Sequence, residues 1–133
     1  MIMVDTSVWI DYFNGQDTPH TQQLDNYLQF AQVAICDVVL MEILQGFRSQ
    51  NDYLQAKTSL EKLPCFEILN KSSAIEFANL YRHLRTKGIT IRKSNDVMIA
   101  GFCIHQNLPL LFCDRDFMPF MTHLGLKSAL YNH

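Results

Sequence analysis

Short runs of apolar residues alternate with amphipathic stretches along the whole chain. Met1-Ile2-Met3-Val4 is apolar at every position and stops at Asp5. Val33-Ala34-Ile35-Cys36 does the same before Asp37, and Leu110-Leu111-Phe112-Cys113 before Asp114. Such runs, bounded by polar residues, read as strands covered on both faces. Cys65–Leu69 after Pro64 reads as another strand, and Ala129-Leu130-Tyr131 as an edge strand. Pro109 opens the Leu110–Cys113 run, a tolerated place for proline. Between these runs the period lengthens to that of a helix. Leu24, Tyr27, Leu28 and Ala31 follow the i, i+3, i+4, i+7 rule. Ala74, Phe77, Ala78, Tyr81 and Leu84 form a second stripe, with Ser72 as the expected cap and Gly88 as the stop.

Five more helices are expected. Ser7 caps a short one ending at Phe13 before Asn14-Gly15, and Asp37 caps Val38–Phe47. Tyr53–Leu63 precedes Pro64. Ser94 or Asn95 caps a helix from Asp96 to about Gln106. A final short helix spans Asp116–Leu124. Strand–helix alternation predicts an α/β fold: one domain over residues 1–133, with a mostly parallel central sheet flanked by helices.

At 133 residues and 48% hydrophobic composition, the chain fits one domain with a real core. Its apolar runs reach about five or six residues, against the ~20 of a membrane-spanning helix. Met1-Ile2-Met3-Val4 meets Asp5 with no basic segment before it, so no signal peptide is read and the cytoplasm is the expected location. Cys36, Cys65, Cys103 and Cys113 form no C-x-x-C pair, and the five histidines form no H-x-x-x-H pair. Zinc and disulfide frameworks are therefore disfavoured, and buried free thiols are expected. The formal net charge of −2 excludes a polycation. Basic residues gather at Arg82, Arg85, Lys87, Arg92 and Lys93, either a solvated helix end or a strip for phosphate contacts.

The candidate chemistry lies in acids at element junctions. Asp5 and Asp114 close apolar strands, Asp96 opens an apolar helix, and Glu42 interrupts Val38-Val39-Leu40-Met41-Glu42-Ile43-Leu44. Crevices at the carboxyl edge of an open parallel sheet bind ligands. Carboxylates gathered there resist full ionisation unless a hard cation such as Mg²⁺ or Mn²⁺ joins them. Each acid also has an ordinary reading. Asp5-Thr6-Ser7 makes a strand-to-helix turn, Glu42 fits a solvent face, Asp96 suits a helix dipole, Asp114-Arg115-Asp116 makes a natural turn, and Asp116 suits a cap. On the chemical reading Asp5 ligates directly, Thr6 or Ser7 holds a metal-bound water, and Asp116 is a further ligand, a supporting group or a cap.

Taken together, these motifs resemble the PIN-domain ribonucleases, and among them the VapC-type toxins of toxin–antitoxin pairs. The resemblance rests on Met3-Val4-Asp5-Thr6-Ser7-Val8-Trp9-Ile10, Val39-Leu40-Met41-Glu42-Ile43-Leu44-Gln45-Gly46, Asn95-Asp96-Val97-Met98-Ile99-Ala100 and Leu108-Pro109-Leu110-Leu111-Phe112-Cys113-Asp114-Arg115-Asp116-Phe117. They stand in the family's order and cover nearly the whole chain. Asp5, Glu42, Asp96 and Asp114 match the family's four acids, Ser7 a polar position near the metal, and Asp116 an additional acid. Cys113 departs from the pattern, since a small hydroxyl residue or alanine is commoner there.

The resemblance implies a Mg²⁺- or Mn²⁺-dependent endoribonuclease that inhibits translation by cutting RNA, often transfer RNA. It also implies a homodimer silenced by a cognate VapB-type antitoxin and assembling further with it. Arg85, Lys87, Arg92 and Lys93 are the candidate RNA contacts. Two other aspartate enzymes fit less well. A haloacid-dehalogenase-type phosphatase wants an aspartate where Ser7 stands, and a response-regulator receiver wants paired acids where Asp5 is alone. The non-enzymatic rival is a PIN-like RNA-binding or scaffold module with structural acids.

Overall fold

In the computed structural model, which describes residues 1–130, the first apolar run is the inner strand β1 (Ile2–Val4). β2 (Val33–Cys36) pairs with it on one side, Ile2 opposite Val33 and Met3 opposite Ala34. β4 (Leu110–Leu111) pairs on the other, Met3 opposite Leu110 and Val4 opposite Leu111. β3 (Cys65–Phe66) joins the outer side of β2, giving the order β3-β2-β1-β4 with every pairing parallel. β1, β2 and β4 are buried throughout, because helices cover both faces of the sheet. The single α/β domain with a parallel sheet is as expected.

The strand ends differ from expectation. β3 closes at Phe66 rather than Leu69, and β4 at Leu111 rather than Cys113. Beyond β3 the chain turns inward, and the Ile68 N–H donates to Asp37 Oδ1 at 3.3 Å instead of to a strand. The expected edge strand at residues 129–131 reduces to one parallel bridge between Leu110 and Ser128. Tyr131 lies outside the described residues.

The helices are α1 (Thr6–Phe13), α2 (Pro19–Gln29), α3 (Asp37–Gln45), α4 (Gln50–Leu60), α5 (Lys71–Thr86), α6 (Ser94–Gln106) and α7 (Met118–Leu124). A 3₁₀ turn at Arg115–Phe117 leads into α7, so the last helix is shorter than the expected Asp116–Leu124. Several start earlier than the hydrophobic pattern alone indicates. Asn70, not Ser72, caps α5: its Oδ1 accepts from the Ser73 N–H at 3.0 Å while the Ser73 hydroxyl accepts from the Asn70 N–H at 2.9 Å. Ser49 caps α4. Asp5, Cys36 and Lys93 precede α1, α3 and α6 without side-chain capping bonds, which corrects the expected Ser7, Asp37 and Ser94 or Asn95 caps. α5 stops at Gly88, where φ is +80°.

The core gathers Trp9, Leu24, Ile35, Leu84, Ile99, Phe117 and Phe120 around the sheet. α5 and α6 approach closely at Gly101, where an added β-carbon would stand 2.6 Å from Cδ1 of Phe77. Of the expected α5 stripe, Phe77 and Leu84 are buried, but Ala74 and Ala78 are exposed. They line an open groove of about 360 Å³ with Leu69, Tyr81 and Met98. Ala31 is also exposed, because α2 ends at Gln29 and Ala31 has φ of +52°. Cys36 and Cys103 are buried free thiols, whereas Cys65 and Cys113, near strand ends, are exposed. Among the described residues, no helix is long and apolar enough to cross a membrane.

Candidate active site

The sheet order reverses direction at β1, which has β2 on one side and β4 on the other. A reversal of this kind opens a crevice at the carboxyl ends of the strands. Asp5 directly follows β1, and its N–H donates to the Leu111 carbonyl at 2.9 Å, holding it against the end of β4. Past β4 the chain carries Asp114 and Asp116 into the 3₁₀ turn. α6 contributes Asp96 from its first turn.

The hydroxyls beside Asp5 donate to carboxylates. Ser7 Oγ donates to Asp5 Oδ2 at 2.7 Å, and Thr6 Oγ1 donates to Glu42 Oε1 at 2.9 Å. Thr6 thereby ties the start of α1 to the middle of α3. Ser7 Oγ also lies 3.7 Å from Cys113 Sγ. The Asp116 N–H donates to Asp114 Oδ1 at 2.9 Å, so Asp114 caps its own turn while its other oxygen remains available.

The tightest acidic group is Asp96, Asp114 and Asp116, each offering an oxygen within 4.8 Å of the others. Asp96 is only 6% exposed, and its Oδ2 is buried without a hydrogen-bond partner. An orphaned buried oxygen is costly, and a cation is one way to satisfy it. Burial, followed by the charges of Asp5, Asp114 and Asp116, pushes the Asp96 carboxyl up to about 7, with Lys93 pulling the other way. Burial also raises Asp5, as does the charge of Glu42, against hydrogen bonds from the Ser7 hydroxyl and the Thr6 and Ser7 backbone. An all-carboxylate donor set with a buried unpaired oxygen fits a hard divalent ion such as Mg²⁺ or Mn²⁺.

Asp5, Glu42, Asp96 and Asp114 therefore converge, but not as four equivalent ligands. Asp116 belongs with Asp96 and Asp114, while Asp5 and Glu42 stand outside that trio. Of the basic residues, Arg82, Arg85, Lys87 and Lys93 are exposed, and Arg85 lies over the Tyr81 ring at 5.5 Å. Arg92 differs: its Nη2 donates to both oxygens of Asp116, at 3.2 Å and 3.0 Å. Nothing in the sequence marks this pair, because its partners belong to different elements.

Comparison with known proteins agrees with this architecture. The family model described as PIN domain matches residues 2–118. Ribonuclease VapC11 of Mycobacterium tuberculosis is 33% identical over 136 residues, covering 98% of this chain and 99% of its own length. Ribonuclease VapC1 of Methanocaldococcus jannaschii is 30% identical over 128 residues, covering 95% of this chain and 85% of its own. Among solved structures, VapBC2 from Rickettsia felis, bound to a DNA fragment from its promoter, superposes with a TM-score of 0.75 at 21% identity. That match covers 96% of this chain and 97% of the other. FitAcB from Neisseria gonorrhoeae gives a TM-score of 0.71 at 16% identity, over 99% and 100% of the two chains. The chain thus belongs to the PIN-domain family, among the relatives of its VapC members.

Proposed function

We propose that this protein is a divalent-metal-dependent endoribonuclease, the toxin half of a toxin–antitoxin pair. The observation that carries the reading is the unpartnered, buried Oδ2 of Asp96 beside Asp114 and Asp116. The ribonuclease names of the relatives support RNA as the substrate. The antitoxin complexes among the solved neighbours support a VapB-type partner. Asp96, Asp114 and Asp116 would hold Mg²⁺ or Mn²⁺, with Asp5 adding negative charge from the adjoining strand end. The ion would supply Lewis acidity toward the phosphate.

The side chains of this protein do the rest. Ser7 fixes the orientation of Asp5 by donating to Oδ2. Thr6 holds Glu42 through Oε1, so that Oε2 accepts the proton of the attacking water. The new bond joins water oxygen to phosphorus, and the bond from phosphorus to the 3′-oxygen breaks. The products are a 5′-phosphate and a 3′-hydroxyl, whose proton comes from solvent. Exposed Arg85, Lys87 and Lys93 neutralise flanking phosphates.

Cleavage of RNA by the purified protein, with and without EDTA, tests this reading. Mg²⁺ or Mn²⁺ is expected to support cutting that EDTA abolishes, leaving 5′-phosphate ends. Cleavage that persists in EDTA with cyclic-phosphate ends would refute it. RNA binding without any cleavage in either metal would leave the scaffold reading in its place.

A further inference from the structure

Arg92 and Asp116 form the one ion pair among the described residues that reaches the acidic trio. A single nitrogen, Nη2, bridges both carboxylate oxygens, and Asp116 is one of the three candidate ligands. The pair is not a structural staple. The Arg92 side chain is 75% exposed, and exposed ion pairs contribute little to folding. Its backbone, by contrast, is anchored. Buried Ile91 precedes it, and Lys93 begins the turn into α6, three residues before Asp96. The side chain is therefore a long cationic arm on a fixed mount, resting on a carboxylate that the metal also needs.

We infer that Arg92 is a positioning arm that pairs with Asp116 and transfers to an RNA phosphate when substrate arrives. This inference rests on the nuclease reading above. While paired, the guanidinium opposes cation entry by its charge and by covering both Asp116 oxygens. A phosphate offers the same planar fork an alternative bidentate partner. Leaving Asp116 frees a ligand, so RNA binding and metal binding favour one another through a shared residue. Such coupling is reciprocal. Arg92 thus differs from Arg85, Lys87 and Lys93, which pair with no carboxylate among the described residues.

The experiment uses the full chain and two readouts that need no turnover. Electron paramagnetic resonance measures the Kd for Mn²⁺ in wild type, Arg92→Ala, Arg92→Lys and Asp96→Asn at low salt. Arg92→Ala is expected to tighten Mn²⁺ binding about three- to tenfold, as removal of one partly screened charge should. Arg92→Lys should change it less, because the charge stays. The second readout is the affinity for a single-stranded uridine 20-mer in EDTA. Arg92→Ala should cost little in the wild-type background, where the arm is engaged. It should cost several-fold more in Asp116→Asn, where the arm is free. Unchanged or weaker Mn²⁺ binding in Arg92→Ala, or equal RNA losses in both backgrounds, overturns the inference. The underlying nuclease reading fails differently: Asp96→Asn would then leave Mn²⁺ binding unaltered.

Discussion

Thr6 donates its hydroxyl to Glu42 Oε1 at 2.9 Å, joining residues 36 apart in sequence. The bond sets the carboxylate of α3 against the N-terminus of α1, directly beyond the central strand. It accounts for a glutamate inside the apolar run of α3: the side chain is half-buried and has a donor.

Thr6→Val keeps the shape of the side chain and removes that donor. Cleavage is expected to fall about tenfold, the size of one lost hydrogen bond to a charged group. Mn²⁺ affinity should hold, because Glu42 lies outside the proposed ligand trio. Steady-state kinetics with Thr6→Ser as a rescue control checks this, and full activity in Thr6→Val would remove Thr6 from the mechanism.

Asp96→Asn should lower cleavage by roughly a hundredfold or more, since it removes a charged member of the proposed metal site. The variant in EDTA should nonetheless melt at the same temperature as wild type or higher, because a carboxylate that is buried and also repelled by its neighbours has gone. Calorimetry in EDTA, paired with an activity assay, reads both effects. Normal cutting by this variant would reduce Asp96 to a helix-end acid.

The raised Asp96 carboxyl also predicts a pH dependence. Its folded value, about 7, lies above its value in the unfolded chain. The native state therefore binds the proton more tightly than the unfolded state between about pH 4 and pH 7. The stabilisation from protonated Asp96 is complete below that window and is lost as pH rises through 7. Denaturant titrations in EDTA should show this decline, and Asp96→Asn should flatten it. A wild-type profile as flat as that of the variant would argue against the shift.

If the exposed bases hold RNA, replacing Arg85, Lys87 and Lys93 together by Ala should reduce the salt slope of RNA binding by about two. Fluorescence anisotropy between low and moderate salt measures it. An unchanged slope would return these residues to the solvated surface.

Gly101→Ala tests the close approach of α5 and α6. Helix propensity favours alanine, but its β-carbon would press on the Phe77 ring. Overpacking should dominate and destabilise the fold by about 1–3 kcal/mol. Phe77→Leu should recover part of that loss in the double variant. A Gly101→Ala protein more stable than wild type would show that the ring moves aside freely.

The strands around the site were legible because their signal is local. Met1-Ile2-Met3-Val4 and Val33-Ala34-Ile35-Cys36 are apolar at every position and bounded by polar residues, a pattern that suits strands of a sheet covered on both faces. Asp5, Asp96 and Asp114 stood out for a related reason: each interrupts or borders such a run, where a charge needs a partner. The sequence by itself thus determined the fold class and where the acids enter it.

Tertiary structure decided how those acids are divided. That Asp116 joins Asp96 and Asp114, that Thr6 serves Glu42 while Ser7 serves Asp5, and that Arg92 rests on Asp116 depend on side-chain directions across separate elements. No periodicity records them. The exposure of Cys113 and Ala78 belongs in the same class. Burial follows from what packs opposite a residue, and an apolar neighbourhood along the chain does not specify that partner. Local hydrophobic pattern sets each element, whereas distances between elements fix the charges, and only the folded chain has those distances.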